Sequence, residues 1–301
     1  MVVHHHIHSL QQETAVALGL FDGVHRGHCK VISKAVEQKK QGLLPTVLTF
    51  AVTDVVPKSK RKFSRLISDS QKLERLESLG VELVVMPNFQ TIMLMRAEEF
   101  VDEILFQRLH ANVVVTGEDY RFGRGSEGDV PLLRKLCARY GIQVEVVPEL
   151  LDEGKPVSST RIREYLKLGD IPRANQLLGY PFGFDFTVVY GKQIGRTIGI
   201  PTINQEFPLD FILPKFGVYE SYAMVYGKRC PAITNIGVKP TIDGERLPLA
   251  ETHIIGVDDN LYGENIPVAL VRFLRPEKKF DGIDSLTAAI QADIARVLRG
   301  T

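Results

Sequence analysis

The sequence predicts two domains of different fold class: an α/β domain with a doubly wound parallel sheet, followed by an antiparallel β-barrel with a terminal helix. The chain has 301 residues, more than one hydrophobic core usually supports. Residues 14–149 alternate short apolar runs with helical stretches, as in a parallel sheet covered on both faces. From Phe184 onward the apolar runs are short and separated by Gly, Pro and turn residues, which is typical of an antiparallel barrel.

The elements of the first domain follow from the spacing of its apolar residues. Five runs rich in Val, Leu or Ile are predicted as strands: residues 15–20, 46–50, 81–86, 113–116 and 144–147. Helices are predicted between them at residues 28–42, 68–78, 97–109 and 131–140. Ser68 and Gln71 have the spacing of a capping box, and Asp129 is the expected cap of the last helix.

The histidine-rich segment at residues 4–8 is interpreted as part of an ordinary first strand, because Val2, Val3 and Ile7 flank its histidines. Metal binding by neutral imidazoles is one alternative. A tag is the other.

Two short helices are predicted to connect the domains, at residues 159–168 and 171–178, the second capped by Asp170. We interpret this segment as a hinge and expect domains at residues 1–181 and 182–301. A closing helix at residues 285–298 is expected to pack against the barrel through an apolar stripe at helical spacing: Leu286, Ala289, Ile290, Ile294, Val297 and Leu298.

Charge and cysteine content exclude several functional classes. The formal net charge is +1, so no bulk field attracts nucleic acid or an anionic membrane, and small molecules are the expected partners. Cys29, Cys137 and Cys230 lie far apart, which argues against a disulfide framework and a thiolate metal site. No apolar run approaches the roughly 20 residues that cross a bilayer, and the N-terminus lacks the order of a signal peptide. We therefore expect a cytoplasmic protein.

The loop after the strand at residues 15–20 has the composition of a phosphate site. Residues 19–28 read G-L-F-D-G-V-H-R-G-H and lie between a predicted strand and a predicted helix. Ligands of open parallel sheets bind beyond the carboxyl ends of strands, where the next helix offers free N–H groups to phosphate. The glycines permit close backbone approach, and His25 and His28 can donate to phosphate oxygens as charge builds up.

This segment resembles the H-x-G-H nucleotidylyltransferases, in particular the flavin-specific family with the motif G-x-F-D-G-x-H-x-G-H. Residues 117–123 (G-E-D-Y-R-F-G) with Gly128 and Asp129 look like that family's flavin-contacting loop, and residues 157–163 (V-S-S-T-R-I-R) look like its S-S-T-x-I-R element. The resemblance implies flavin contacts for Asp119 and Phe122. It implies ATP contacts for Gly19, Phe21, Asp22, Gly23, His25, His28, Ser159, Thr160 and Arg163.

The reaction implied by this resemblance is adenylylation, in which the FMN phosphate attacks the α-phosphorus of ATP and pyrophosphate leaves. Catalysis then consists of positioning and charge neutralisation by His25, His28, Arg163 and Mg²⁺. Arginine suits that role because its fixed fork of donors matches phosphate oxygens.

The sequence departs from this family at two places. The family usually has Asn where this chain has Leu20, and usually follows the second strand with a Glu-Pro-His-Pro-like turn, whereas Phe50 here leads into A-V-T-D at residues 51–54. The missing turn histidine bears on the efficiency of adenylylation. The basic stretch K-S-K-R-K at residues 58–62 is interpreted as a solvated loop.

A second glycine-rich segment lies in the C-terminal domain. Residues 191–204 read G-K-Q-I-G-R-T-I-G-I-P-T-I-N, which resembles the riboflavin kinase signature G-x-x-x-G-R-x-x-G-x-P-T-x-N. The segments N-I-G-V-K-P-T at residues 235–241, E-T-H-I at 251–254 and L-Y-G at 261–263 follow in that family's order. Because no glycine-rich loop ends in Lys-Ser or Lys-Thr, the kinase differs in fold from the common phosphate-loop enzymes.

The resemblance implies that Thr202 and Asn204 hold Mg²⁺ with ATP and that Glu251 is the base for the ribityl hydroxyl. Mg²⁺ prefers oxygen ligands, and a carboxylate within reach of an alcohol can receive its proton. Further implied contacts are Gly195, Arg196 and Thr202 for ATP, and Arg275 and Glu277, with Phe280, for the flavin.

The two sets of motifs cover residues 14–298, and the chain is identified as a member of the bacterial riboflavin kinase/FAD synthetase family. The implied ligands are riboflavin, FMN, FAD, ATP and Mg²⁺. A riboflavin kinase with an impaired adenylyltransferase half is one alternative, and a non-catalytic flavin or nucleotide sensor is another. Adenylylation of a different phosphate, such as phosphopantetheine, would leave the C-terminal domain unexplained.

Overall fold

The computed structural model describes residues 1–50, 64–191, 195, 198–240 and 246–299. The chain forms two compact units, which comprise Met1–Arg65 with Asp69–Ser159 and Leu66–Ser68 with Thr160–Thr301. The expected domain boundary after residue 181 stays a prediction. Within the described ranges, no helix is long and apolar enough to span a bilayer.

The first unit contains a six-stranded parallel sheet, which confirms the predicted α/β class. The strand order is β1-β4-β3-β2-β5-β6, and each neighbouring pair is parallel. The five strands predicted from apolar runs are present with ends shifted by at most two residues. The strand expected to include the histidine-rich segment covers Val2–His4, so His5, His6 and His8 lie outside it. The bounds are β1 Val2–His4, β2 Thr14–Leu18, β3 Leu44–Leu48, β4 Leu83–Val85, β5 Ala111–Gly117 and β6 Gln143–Val147, followed by a small hairpin of β7 Leu151–Asp152 and β8 Lys155–Pro156.

The helices of this unit occupy the predicted gaps. Asp129 caps its helix by accepting the Leu132 N–H at 2.9 Å. Gly42, in a left-handed conformation with φ 83°, ends the 3-10 helix Gln38–Gln41 that follows the first α-helix. The helix predicted at 97–109 is present, but most of it is a π-helix, which apolar spacing did not predict. The bounds are α1 Arg26–Glu37, α2 Asp69–Ser78, α3 Phe89–Ile92, α4 Ala97–Glu99 with the π-helix Phe100–Arg108, and α5 Val130–Cys137.

Alternate residues of the central strand β2 belong to two different hydrophobic cores. On one face Ala17 packs in a cluster with side chains of α1 and α2. On the other face Val16 packs with side chains of the π-helix and α5. Because both faces are covered, the strands carry apolar residues at successive positions, which is why their sequences read as continuous apolar runs.

The second unit contains a seven-stranded antiparallel half-barrel sheet, in agreement with the predicted barrel class. The strand order is β10-β11-β14-β13-β12-β15-β9. Tyr226 and Gly227 join β12 to β13 with positive φ at both positions (48° and 74°), as a tight two-residue hairpin turn requires. The bounds are β9 Gly183–Phe184, β10 Val188–Val189, β11 Ile203–Glu206, β12 Gly217–Val225, β13 Lys228–Pro240, β14 Arg246–Ile254 and β15 Val268–Arg275.

The described part of the chain also contains the helices α6 Ser159–Leu168, α7 Ile171–Leu178 and α8 Ile283–Leu298. The first two have the predicted bounds, and Asp170 caps α7 by accepting the Arg173 N–H at 3.2 Å. The terminal helix α8 packs beside β13 as expected. Val297 of its stripe is buried, whereas Leu298 is 50% exposed.

A chain of buried hydroxyls links three strands of the half-barrel. Ser221 Oγ lies 2.8 Å from Thr234 Oγ1, which lies 2.9 Å from Thr252 Oγ1. Each buried hydroxyl thereby has the hydrogen bond that burial demands. The chain supports β14 at the position next to Glu251.

Candidate functional site

The first candidate site lies where the strand order of the parallel sheet reverses. The strand β2 has β3 on one side and β5 on the other, so the loops that leave β2 and β5 diverge at one sheet edge. Such a crevice at the carboxyl ends of strands is where open α/β sheets bind ligands. The loop after β2 carries residues 19–28, and the loop after β5 carries Asp119.

The backbone of the 19–28 loop is held in an uncommon conformation. Phe21, Gly23 and Val24 all have positive φ, at 51°, 80° and 34°. For a β-branched residue such as Val24 this is a genuine outlier, which persists only where the surroundings enforce it. A Cβ at Gly19 would lie 2.8 Å from the Phe21 ring, so glycine is required there. The Phe21 ring in turn meets His28 edge-on, with 5.3 Å between ring centroids.

His25 caps helix α1 with its side chain. Its Nδ1 accepts the His28 N–H at 3.3 Å, and the two imidazoles stack with 3.5 Å between centroids. Since Nδ1 acts as an acceptor, the proton of a neutral His25 ring is on Nε2. In this tautomer Nε2 carries a donor hydrogen at the start of α1, where the helix dipole favours an anion.

Burial holds the pKa of His28 well below its ordinary value, and the charges of His25 and Lys72 lower that pKa further. The Nδ1 atom of His28 is buried and has no hydrogen-bond partner among the described residues. His28 is therefore neutral near pH 7 in the ligand-free protein. A nearby phosphate anion would raise the same pKa, because it favours the charged imidazolium.

Lys72 of α2 is a buried cation that the sequence did not single out. Its Nζ donates to the backbone oxygens of Leu20 at 3.2 Å and Phe50 at 3.0 Å, and its side chain is fully buried. It thereby ties together the carboxyl ends of β2 and β3. Burial lowers the pKa of Lys72, while the carboxylates of Asp69 and Asp22 oppose that shift. Its position in a polar helix gives no signal that the ammonium group turns inward.

The remaining predicted residues of this site are placed as follows. The hydroxyl of Ser159 donates to the Asp22 backbone oxygen at 2.9 Å, which brings the first residue of α6 to the loop. Thr160 and Arg163 belong to the second unit, so their contribution stays a prediction. Asp119 is exposed in the turn after β5, whereas Phe122 is 6% exposed and packs in the core, so its flavin contact also stays a prediction. The A-V-T-D turn and the basic stretch lie outside the described residues.

The second candidate site is built on one row of residues across the half-barrel. Asn204 of β11 pairs with Glu251 of β14, which pairs with Asn235 of β13. The row continues through Val218 of β12 to Arg275 of β15. Directly opposed residues of antiparallel strands present their side chains on the same face. Residues far apart in sequence are thus gathered on one surface by strand register alone.

Thr202 and Asn204 have the character of magnesium ligands. The Oδ1 atom of Asn204 is buried and has no hydrogen-bond partner among the described residues. Gly191 permits this placement, because a Cβ there would lie 2.3 Å from Asn204 Nδ2. An amide oxygen and a hydroxyl suit Mg²⁺ beside nucleotide phosphates. Within the described ranges no cluster of three or more His, Cys, Asp or Glu residues is arranged to hold a metal ion.

A cavity of about 320 Å³ lies over the Glu251 row. Its polar lining includes Thr202, Asn235, Glu251 and His253. The size and the mainly apolar surface are typical of a small-molecule site, although charged residues also line the cavity: Arg275, Glu277, Lys278 and Asp293. The apolar wall consists of Ile198, Ile200, Val218, Ile233, Phe280, Leu286 and Ile290, the last two from α8.

A second, more polar cavity of about 600 Å³ adjoins the first. Asp258, Asp259 and Asn260 line it, and a smaller cavity beside it is lined by Thr202 and Tyr262. His253 lines both the polar and the apolar cavity. The site therefore has two compartments of different polarity that share a wall.

The predicted flavin residues Arg275 and Glu277 are both held by partners. Arg275 contacts Oδ2 of Asp293 through Nε at 2.9 Å and Nη2 at 2.8 Å, and Glu277 accepts from Asn235 Nδ2 at 3.2 Å. Asp293 was missed, because α8 was interpreted as an apolar stripe; an acidic residue on the buried side of that stripe was the available signal. Gly195 lines the apolar cavity, and Arg196 lies outside the described residues.

Comparisons with known proteins agree with the two-part architecture. The FAD synthetase family matches residues 7–161, and the riboflavin kinase family matches residues 178–300. The bifunctional riboflavin kinase/FMN adenylyltransferase of Escherichia coli (strain K12) is 34% identical over 301 residues, covering 95% of this chain and 94% of that protein. The protein of the same name from Listeria monocytogenes serovar 1/2a is 35% identical over 282 residues, covering 92% and 89%.

Among solved structures, one described as a macrolide-efflux protein from Streptococcus pneumoniae is similar to this chain with a TM-score of 0.86. Its sequence is 28% identical, and the match covers 98% of this chain and 97% of that one. The similarity therefore extends over both units.

The depressed pKa of His28 predicts how stability depends on pH. Because the folded pKa lies below the unfolded value near 6.5, the unfolded chain binds the proton first as pH falls. The contribution of neutral His28 to the free energy of unfolding is intact above pH 6.5 and is lost as the pH drops below that value. Urea unfolding at pH 7 and pH 5 should show a smaller loss of stability for His28→Asn than for the wild type. The exposed control His5→Asn should keep the wild-type loss, and an equal loss in all three proteins would contradict the burial argument.

Proposed function

This chain belongs to the family of bifunctional riboflavin kinase/FMN adenylyltransferases, and we propose that its two units carry the two reactions at separate sites. The protein uses ATP to phosphorylate riboflavin to FMN and to adenylylate FMN to FAD, with release of pyrophosphate. The observation that carries the allocation is the row of Asn204, Glu251 and Asn235 beneath a cavity in the second unit, far along the chain from the His25–His28 loop.

In the kinase site, Glu251 is the proposed base. Its carboxylate lines the apolar cavity, where it can accept the proton of the terminal ribityl hydroxyl as that oxygen bonds to the γ-phosphorus of ATP. The bond between that phosphorus and the bridging oxygen of ADP breaks in the same displacement, and ADP leaves. Asn235 next to Glu251 is fixed through its contact with Glu277, so the polar floor of the cavity is preorganised.

The two compartments support a division of the substrates. The apolar wall of the 320 Å³ cavity suits the flat isoalloxazine ring, and Phe280 offers an aromatic face to it. The polar 600 Å³ cavity suits ATP, so the γ-phosphate would meet the ribityl chain at their shared wall. Arg275 would keep a cation near the flavin, and its charge is balanced by the paired Asp293.

Magnesium is the proposed metal of the kinase site, with Thr202 and Asn204 as its protein ligands. The buried, unbonded Oδ1 of Asn204 is the observation that fits this assignment. When bound, Mg²⁺ neutralises charge on the nucleotide phosphates during transfer. The remaining ligands of such a site are water and phosphate oxygens, which two protein ligands leave room for.

In the adenylyltransferase site, the proposed ATP contacts are the start of α1, His25, His28 and Ser159. The stacked histidines and the positive end of the α1 dipole lie on one side of the loop, where they would stabilise the negative charge that builds up on the α-phosphate. An oxygen of the FMN phosphate bonds to the α-phosphorus, and the bond to the pyrophosphate oxygen breaks. Arg163 and Thr160 are proposed to add to this group, and Asp119 to contact the flavin, as their motifs imply.

We also propose a cytoplasmic location, since all three cysteines are free thiols, as is usual in a reducing compartment. The efflux activity in the description of the Streptococcus structure is not part of the proposal. Both matching families and the curated relatives agree on flavin chemistry instead.

The two-site allocation predicts that the reactions can be removed one at a time. Glu251→Gln keeps the shape of the side chain but removes the base, so FMN formation from riboflavin should fall at least about 100-fold. Adenylylation of supplied FMN should persist in that variant. His28→Ala should give the reverse pattern, with adenylylation reduced about 100-fold and the kinase intact.

Chromatographic analysis of FMN and FAD, with riboflavin and FMN as separate starting substrates, measures both rates. A folded Glu251→Gln protein that has lost both reactions would contradict separate sites. So would a kinase defect in His28→Ala as large as its adenylylation defect.

The bond network of Lys72 predicts a selective effect on the first site. Lys72→Met keeps the apolar stem but removes the ammonium donor from both oxygens. The Leu20 oxygen retains the Thr49 hydroxyl at 2.8 Å, so the link between the ends of β2 and β3 is weakened. Adenylylation of supplied FMN should fall about tenfold or more, while the kinase rate stays at the wild-type value. The exposed Lys30→Met on α1 is the matched control. Wild-type adenylylation in a folded Lys72→Met protein would refute the role.

A further inference from the structure

His253 lies two residues after Glu251, on the same face of β14. Its Nδ1 lies 2.7 Å from the backbone oxygen of Pro201. Because a carbonyl oxygen only accepts, Nδ1 is the donor and carries the proton. The bond therefore fixes the orientation of the His253 ring. It uses Nδ1 and does not involve Nε2.

The hydrogen bond to Pro201 fixes backbone that lies beyond the strand pairing of β11 with β14. The ladder between β11 and β14 ends at the pair Ile203 and Thr252, one residue short of Thr202. Continuing this register would place Thr202 opposite His253. The Pro201 oxygen belongs to the peptide group that joins Pro201 to Thr202, so the His253 bond orients that peptide plane just beyond the end of the ladder.

The position of His253 in the site gives this bond a consequence. His253 lines both the apolar and the polar cavity, and Thr202 lines the apolar cavity and the small cavity beside the polar one. The peptide that His253 orients therefore lies in the wall between the two compartments. A rotation of that peptide would change the backbone direction at Thr202 and with it the position of the Thr202 side chain.

We propose that His253 is a positioning residue of the kinase site: by donating from Nδ1 to Pro201 it holds the Thr202 hydroxyl at the junction of the two cavities, two residues before Asn204. This inference rests on the proposed kinase function of that site. It assigns His253 no contact with the reacting atoms. Its effect is on how well the metal and nucleotide are held during transfer, not on flavin binding.

Substitutions at His253 separate the donor from the ring. His253→Phe keeps a planar ring without a donor, His253→Gln moves an amide to the place of Nε2, and His253→Asn keeps an amide donor near the place of Nδ1. For Phe and Gln we expect the kinase kcat to fall about tenfold, as for loss of one productive hydrogen bond, and the half-saturating Mg²⁺ concentration to rise by a similar factor. His253→Asn should stay within about threefold of the wild type for both quantities.

Two further measurements distinguish positioning from a general defect. Riboflavin affinity is measured by quenching of flavin fluorescence and should stay within about twofold of the wild type in all three variants. A tenfold change in affinity would require the loss of a contact to the flavin, and these substitutions remove none. If Phe or Gln matches the wild type in Mg²⁺ dependence, or if Asn is as impaired as Gln, the inference is wrong. Should the Phe variant not fold, the Gln and Asn pair makes the same comparison.

Glu251→Gln and Thr202→Ala distinguish this inference from the proposed function. If those two variants keep the kinase activity, the proposed site itself is wrong. If they lose it while His253→Gln behaves as the wild type, the kinase assignment stands and only the role of His253 fails.

Discussion

The register of the half-barrel is the constraint on which the kinase site depends. Asn204, Glu251 and Asn235 come from three strands, and only their direct pairing places one amide, one carboxylate and another amide side by side. A shift of one residue in β14 would turn Glu251 to the opposite face, because side chains alternate along a strand. The register is supported by the buried hydroxyl chain from Ser221 through Thr234 to Thr252 on the neighbouring positions. The hydrogen bonds of Thr252 on one face of β14 thus help to hold Glu251 in place on the other face.

The proposed nucleotide site of the first unit depends on a buried charge. A phosphate site needs cations and free N–H groups, yet a fully buried ammonium is costly unless it is bonded. Lys72 meets this requirement through two backbone oxygens at the ends of β2 and β3. The same buried cation helps to keep the pKa of His28 low, so His28 is neutral in the ligand-free protein. The loop that carries it already has a constrained backbone. An anionic substrate would relieve the repulsion between these groups, which gives binding an electrostatic component.

The sequence predicted the two fold classes, the strands of the parallel sheet and α6 and α7, because apolar spacing and capping residues are local signals. Its motifs also pointed to the loops of both candidate sites, and the roles of the residues in them stay proposals. It did not predict the π-helix, the inward turn of Lys72 or the Asp293 contact to Arg275, since each depends on packing between residues far apart in the chain. The row of Asn204 with Glu251 is of the same kind: motif order made these residues candidates, but only strand pairing shows that they are neighbours.

The central claim is that riboflavin is phosphorylated in the apolar cavity over the Glu251 row. A crystal structure of the protein with riboflavin, Mg²⁺ and a non-hydrolysable ATP analogue tests it most directly. The account predicts the isoalloxazine ring against Phe280, the terminal ribityl hydroxyl within hydrogen-bond distance of the Glu251 carboxylate, and the γ-phosphate near Thr202 and Asn204. A ribityl hydroxyl bound away from Glu251, or a flavin ring outside that cavity, would contradict it.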